Sequence, residues 1–530
     1  MHGKGKHSMT TRYDASLPVA ERRRHGVFYT PEPVVRYLLR ATAPRGPVAD
    51  LSCGDGAFLV AAAREGLPVM GIERDPDALA RAEEALDALG ARRQLHCGDG
   101  LAPELPWTPE VVLGNPPYLE AKKTDPALKR QCRARFPTIA RGAFDVFVCF
   151  LQAGLDTLPP GGRLGYILPN KFLIAEYARP LRELLLRETT VEEIVDVSDL
   201  PTFRDAAVYP VLLIVRKAPP PPGHRVRTGR VSDLAQLETG DFPRSELAQA
   251  RWEHTSHRVF WLPPADPLEH SLVDRLQADE RAVPLSTLLE IRWTVSFHRA
   301  GLRDRFIFPE PTGRCPRRLL GGKKFQGNAD VRRYRTAWSG WWIDYDEERA
   351  KAEGNPLPPA ALFAGPKLLI AQNARRIIAT LDQEDYICKD TFLVGRPAAS
   401  DLFSSPLPLE YLLGLLNSAL LSYLYGILFK ATHVNGAYLH YLGCYLGDLP
   451  VRVAADPEPV CVLVRRLLAT GLPEEERREL DRRLDALVYD LYGLSDAERA
   501  LIDEAVRYEW GEVGKRGGRP AFMDNKKNSF

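Results

Sequence analysis

Apolar residues in the first two hundred positions come as short runs separated by stretches with helical spacing. The runs Val48 to Leu51, Val69 to Arg74, Gln94 to Asp99, Val111 to Asn115, Arg163 to Pro169, Val191 to Val197 and Tyr209 to Lys217 predict seven strands. Between them, Pro76 to Leu89, Phe144 to Leu158 and Phe172 to Arg187 carry apolar residues at the 3.6-residue period of amphipathic helices. Strand and helix in alternation predict an α/β fold, a seven-stranded, Rossmann-like, doubly wound sheet covered by helices.

The seventh strand runs into Ala218-Pro219-Pro220-Pro221-Pro222-Gly223. Consecutive prolines lack the N–H groups that a ladder or helix needs, so this stretch predicts a hinge or domain exit. Beyond it the period is lost. Strands, basic loops and tryptophan-rich segments mix as far as Val453, with one helical patch from Leu407 to Phe429, which reads as an α+β domain. Helical spacing returns between Val460 and Trp510, at Leu480, Leu484, Leu487, Val488 and Leu491, before a basic tail. The expected layout is a first domain over 1–262, a second over 263–452 and a helical region over 453–530.

Composition narrows the class. With 45% apolar and 26% charged residues the chain reads as an ordinary globular protein. No run of about 18 apolar residues appears, and Met1 to Arg24 has no apolar secretory core, so a cytoplasmic protein away from membranes is expected. The eight cysteines, at 53, 97, 132, 149, 315, 388, 444 and 461, form no C-x-x-C pair, which argues against structural metal and disulfides. A net charge of +2 says little about partners. Its distribution says more: Arg292 to Arg335 holds twelve Lys and Arg against three Asp and Glu. Such an excess suits phosphates, and a solvated basic face explains it equally well.

Four strand ends carry candidate chemistry. Asp50-Leu51-Ser52-Cys53-Gly54-Asp55-Gly56 follows the first strand and opens a helix. Glycines allow close backbone approach and the helix start offers free N–H groups, a setting that fits the methionine end of S-adenosylmethionine. Glu73, after the second strand, can accept from vicinal ribose hydroxyls. Asp99, before Gly100 and after the third strand, can accept from an adenine amine. Each acidic residue taken singly could also be a loop cap; their recurrence at successive strands is what carries weight.

After the fourth strand stands Asn115-Pro116-Pro117-Tyr118. Two prolines stiffen the chain, so the Pro116 carbonyl and the Asn115 amide oxygen can act together as acceptors for a planar NH2 group, with Tyr118 stacking on the ring that bears it. Holding both amine protons aims the nitrogen lone pair at a methyl donor, a reaction that needs mainly positioning.

Residues 26 to 217 resemble the catalytic domain of the γ-class amino-DNA methyltransferases, the TaqI-type adenine-N6 group. The resemblance rests on Gly26 to Pro31, the glycine turn, Glu73, Asp99, Asn115 to Tyr118, Phe150, Gly161 to Pro169 and Phe203 to Val208 in family order. It implies S-adenosylmethionine as cofactor, Thr30 near the methionine carboxylate, Phe150 against the cofactor adenine and Phe203 across the flipped target base from Tyr118. Asp50, Gly54, Gly56, Glu73, Asp99 and Gly100 complete the expected cofactor set. More loosely, Leu319 to Phe325, Lys389 to Phe392 and Tyr411 to Ser418 look like segments of TaqI-type and type IIG target-recognition domains.

That resemblance makes 1–262 the expected catalytic domain and 263–452 the expected target-recognition domain for double-stranded DNA. A stacked adenine cannot reach such a pocket, so base flipping and a second DNA-holding surface are expected. Arg317, Arg318, Lys323, Lys324, Arg332, Arg333 and Arg335 are the candidate DNA contacts, with Trp293, His298 and Trp338 nearby. The basic stretch Leu119 to Arg141 reads as a loop that orders on DNA. No cleavage constellation is found, so a restriction activity is expected on a separately encoded endonuclease, and the chain is expected to act as a monomer without bound metal. The acceptor pair also suits cytosine N4, a guanine amine of ribosomal RNA or a protein glutamine. A modification subunit of a larger complex and a DNA-binding module with an inert methyltransferase fold are further alternatives.

Overall fold

The computed structural model describes residues 30–119, 124–200, 209–255, 257–298, 301–322, 330–398, 407–432 and 438–506. The chain divides into two compact units, Met1–Ala265 and Asp266–Phe530.

The first unit is a nine-stranded sheet with helices on its faces. Its strands are β1 (Val48–Asp50), β2 (Val69–Glu73), β3 (Arg93–Cys97), β4 (Val111–Gly114), β5 (Arg163–Pro169), β6 (Thr190–Asp196), β7 (Pro210–Arg216), β8 (Arg225–Arg230) and β9 (Arg244–Ala248). Their spatial order is β3-β2-β1-β4-β5-β7-β6-β8-β9. The pairs from β3 to β5 are parallel, whereas β7 lies antiparallel between β5 and β6. Connections reverse direction between β1 and β4, and the crevice beyond their carboxyl ends is where open α/β sheets hold ligands.

The helices are α1 (Glu32–Thr42), α2 (Ala57–Arg64), α3 (Pro76–Asp87), α4 (Pro126–Arg135), α5 (Phe147–Thr157), α6 (Arg179–Glu188) and α7 (Leu234–Thr239). Val34, Val35 and Leu38 of α1, Leu59 of α2 and Leu86 of α3 join Val48, Val69, Leu113, Ile167 and Leu212 of the strands in one core. The central strands are buried on both faces, so they read as continuous apolar runs.

Three expectations change. The proline run does not leave the unit: β8 returns parallel to β6 and β9 closes the edge. Only Val226 and Thr228 of β8 are buried, so Arg225–Arg230 has no apolar run to announce it. The expected helix from Phe172 begins instead as the 3-10 turn Asn170–Leu173, and α6 starts at Arg179 with Pro180 in its first turn. The expected DNA-ordered loop holds α4, capped by the Asp125 carboxylate on Ala127 N with Pro126 at the helix start. Its good helix formers are mostly polar and only Cys132 is buried, which hides the helix from an apolar-period search.

In the second unit, Leu289–Trp293, Phe392–Pro397, Lys367–Ala371 and Ala379–Asp382 form an antiparallel sheet in that order. A second sheet joins Ile307–Phe308, Trp342–Asp344, Pro316–Leu320 and Ile387–Cys388. Phe306, Leu319, Ile343, Phe363, Leu369 and Phe392 lie in its core. The expected helical patch is two buried helices, Leu409–Asn417 and Ala419–Leu428, because Ser418 is extended and its hydroxyl caps Leu421 N at 3.2 Å. Helix Glu458–Leu468 packs on the first of them, and Asp496–Val506 on the second. No single described helix is long and apolar enough to cross a membrane.

Candidate active site

β1 ends on Asp50, which is 2% exposed and whose Oδ1 accepts from Ser52 N at 3.0 Å. The turn that follows places Gly54 at φ 52° and Gly56 at φ 86°, the left-handed backbone that glycine adopts without cost. A Cβ built on Gly54 would meet no atom within 4 Å, so the turn faces open space, while one on Gly56 would approach Ala82 Cβ to 2.9 Å. Glu73, at the end of β2, braces this turn: Oε2 accepts from Gly54 N at 2.8 Å, and Oε1 from Arg74 N at 2.7 Å and Asp75 N at 3.0 Å.

Beyond β3, Asp99 Oδ1 accepts from Leu101 N at 3.1 Å and pairs with Arg74 Nη2 at 2.8 Å. Its other oxygen accepts from Gln131 Nε2 of α4. Gly100 has no room for a side chain, since a Cβ there would lie 1.7 Å from Leu51 O and 3.0 Å from Phe150 Cε1. Phe150, on α5, is 7% exposed. The expected cofactor residues of β1, β3 and α5 therefore meet at one place, and Glu73 ties β2 to them.

β4 delivers the proline motif beside Asp50. A Cβ on Gly114 would lie 2.9 Å from Asp50 Oδ1. Asn115 Nδ2 donates to Thr30 Oγ1 at 3.1 Å, which sets the amide with its nitrogen toward Thr30 and its oxygen on the opposite arm. Thr30 thus orients the motif directly, a contact its expected place near the methionine carboxylate did not include. Tyr118 is half-buried: its hydroxyl donates to Ile167 O at 3.0 Å, and its ring meets Phe147 edge-on at 6.2 Å. Asp145 anchors the chain after the motif, with Oδ1 accepting from Leu119 N at 2.7 Å and Val146 N donating to Leu119 O at 3.1 Å. Neither Asp145 nor Gln131 stands out in the sequence, because each acts through a partner distant along the chain. Phe203 lies outside the described residues.

The electrostatics follow from burial. Desolvation pushes the Asp50 carboxyl up to about 7, against the bond from Ser52 N, and the nearby Glu73 charge adds to the rise. Burial also holds the Tyr118 and Tyr166 hydroxyls well above their usual range, so both stay neutral. Asp50, Glu73 and Asp99 are acceptors around an open glycine turn. They suit a ligand carrying an ammonium, ribose hydroxyls and an aromatic amine, and S-adenosylmethionine has all three.

In the second unit the candidate DNA contacts separate by burial. Arg317, Arg332 and Arg335 are exposed. Arg332 and Arg335 stand directly opposite each other on a two-stranded ribbon, where like charges repel unless an anion lies between them. Arg318 is half-buried, paired with Glu384 at 2.9 Å and set over the Tyr386 ring. Arg333 corrects its expectation: its guanidinium holds Asp481 at 2.6 Å and donates to Asn417 O at 2.6 Å, with Asp481 2% exposed. That pair locks the ribbon to the helices, and phosphate would have to break it. Trp293 is exposed, His298 is exposed and Trp338 is half-buried. Lys323 and Lys324 lie outside the described residues. No metal-holding cluster occurs among the described residues.

Comparison with known proteins agrees with this division. Residues 110–203 match the Eco57I restriction-modification methylase family, and residues 323–451 match the TaqI-like C-terminal specificity domain. Among curated relatives, the type II methyltransferase M.XhoI of Xanthomonas vasicola is 35% identical over 149 residues, 28% of this chain and 27% of that protein. The type II methyltransferase M.TthHB8I of Thermus thermophilus is 30% identical over 191 residues, 33% of this chain and 42% of that protein. The chain thus aligns with less than half the length of either relative. Among solved structures, the cryo-EM DrdV–DNA complex superposes with a TM-score of 0.51 at 13% identity, covering 87% of this chain and 59% of that one, a likeness of fold. The first unit thus has a methyltransferase-like fold and contains the segment similar to the methylase family, with S-adenosylmethionine as the cofactor, and the second contains the segment similar to the specificity domain.

Proposed function

We propose that the chain is a site-specific DNA methyltransferase that transfers a methyl group from S-adenosylmethionine to N6 of an adenine flipped out of double-stranded DNA. The observation that carries this reading is the set of acceptors at the switch point: Asn115 oriented by Thr30, beside Asp50 and the glycine turn. When bound, the cofactor supplies an electrophilic methyl on its sulfonium.

The protein's share is positioning and charge placement. Asp50 takes the ammonium of the cofactor's amino acid. Glu73 Oε2 takes one backbone bond where Oε1 takes two, so it is Oε2 that keeps acceptor capacity for a ribose hydroxyl. Asp99 takes the cofactor's adenine amine and Phe150 packs on that ring. On the target side, the Asn115 amide oxygen and the Pro116 carbonyl accept the two amine protons, so the nitrogen lone pair is kept out of ring conjugation. Tyr118, fixed at its rim by Ile167 O, offers the ring against which the base stacks.

DNA is proposed to lie on the exposed basic residues Arg317, Arg332 and Arg335, with Arg318 held ready between Glu384 and Tyr386. The specificity-domain match over 323–451 includes Arg332 and Arg335 and supports their part in that placement. The test is single-molecule sequencing of plasmid DNA from cells expressing the chain or its Asn115→Ala variant. N6-methyladenine at one sequence motif, absent with the variant, supports the reading. N4-methylcytosine overturns the choice of base, and unmodified DNA overturns DNA as substrate.

A further inference from the structure

Helix α4 follows the Asn-Pro-Pro-Tyr segment and precedes α5 along the chain, and its Gln131 reaches Asp99 on the cofactor side of the site. Its polar exterior bears Arg130, Arg133 and Arg135, all exposed. One turn holds it to the domain. Cys132 is fully buried and lies close to Cys149 of α5, the residue before Phe150, and Phe136 is buried at the helix end. The residue before Cys132 is Gln131, whose Nε2 donates to Asp99 Oδ2.

The oxygens of Asp99 differ in what they have left to offer. A carboxylate oxygen accepts about two hydrogen bonds. Oδ1 already takes two, from Leu101 N at 3.1 Å and Arg74 Nη2 at 2.8 Å. Oδ2 takes one, from Gln131. The remaining acceptor position is therefore on the atom that Gln131 holds. Rotation of the carboxylate would break that bond or those to Leu101 and Arg74, so Gln131 determines the direction in which the free lone pair points.

We propose that Gln131 is a positioning residue for the cofactor's adenine: by fixing Asp99 Oδ2 it makes the site select an exocyclic amine over a carbonyl at that ring position. This rests on the assignment of Asp99 under the proposed function. Gln131 touches neither the methyl donor nor the target base; it acts through Asp99. The site then rejects a deaminated purine because two acceptors, Asp99 Oδ2 and the ring carbonyl, would face each other with no proton between them.

The experiment measures binding rather than turnover. Titration calorimetry on the full chain gives Kd for S-adenosylhomocysteine and for its deaminated analogue, S-inosylhomocysteine, in the native protein and in Gln131→Met, Gln131→Glu and Lys129→Ala. Native protein is expected to prefer the adenosyl ligand strongly. Gln131→Met, similar in length but without a donor, should reduce that preference about tenfold or more, as removal of a hydrogen bond to a charged group does. Gln131→Glu keeps helix and size, sets a second carboxylate against Asp99, and should reduce it at least as far. Lys129→Ala, on the same helix, should leave the ratio unchanged. If Gln131 only supports packing, both ligands weaken together and the ratio stays constant, which overturns the proposal. Native protein that binds neither ligand overturns the cofactor assignment itself, a different result from a constant ratio. Circular dichroism confirms that each variant is folded.

Discussion

The proposed pairing of Asp50 with the cofactor's ammonium predicts a pH dependence of affinity whose direction can be worked out in advance. The Asp50 carboxyl is buried and titrates near 7 where the ordinary value is 3.8. A folded-state pKa above the unfolded one means that the folded protein binds the proton more readily. Its stability is therefore favoured at low pH and declines as pH rises from about 4 to about 7. The gap between the two values corresponds to at most about 4 kcal/mol of penalty on the ligand-free fold above pH 7. A cation placed beside Asp50 relieves that penalty. With a pKa near 7, roughly a tenth of the sites are ionised at pH 6 and roughly nine-tenths at pH 8, by the tenfold-per-pH-unit relation. The Kd for S-adenosylhomocysteine should therefore tighten by roughly fivefold to tenfold between pH 6 and pH 7.5. Loss of the ligand's own ammonium charge reverses the trend at higher pH, where that amine deprotonates. Asp50→Asn should bind more weakly at pH 7.5 and lose the rise between pH 6 and 7.5, while keeping the fall at higher pH that belongs to the ligand. Calorimetry across this range checks it. A variant with the same slope as native protein, or native affinity that is flat, would refute the pairing of Asp50 with the ammonium.

Three further outcomes are expected. Asn115→Ala should lower methyl transfer by about a thousandfold or more while changing S-adenosylhomocysteine affinity by less than about threefold, because the lost acceptor serves the target amine; single-turnover kinetics with calorimetry separates the two. Arg332→Ala and Arg335→Ala should each weaken DNA binding and reduce the slope of log K against log salt by about one, measured by fluorescence anisotropy. Arg333→Ala should leave the salt slope unchanged and destabilise the second unit by roughly 3 to 5 kcal/mol in urea unfolding, since it strands the buried Asp481 carboxylate.

What could be read from the residues alone has a common physical basis. Strands β1 to β7 match their expected runs to within a residue or two at each end; apart from β3, an exposed edge strand, they are largely buried and so must be largely apolar. The places of Glu73, Asp99 and Asn115 were legible for a related reason: each stands at or just beyond a strand end, where this fold exposes backbone and side chains to a ligand. The extra strands β8 and β9 were not legible, because strands with charged residues in alternation bury too little to leave a pattern. Helix α4 was missed because capping and helix propensity, rather than an apolar stripe, form it.

Sequence on its own determined the order of the sheet's parts, the glycine turn and the acceptor pair, since these depend on side-chain type and on neighbours a few residues away. Tertiary structure decided which polar group meets which. Arg333 and Arg335 look alike along the chain, yet one holds the buried Asp481 and the other faces solvent. Thr30 reaches Asn115 across 85 positions, and Gln131 reaches Asp99 across 32. A polar side chain's partner is set by desolvation and geometry in the folded state, and neither quantity exists until distant segments have been brought together.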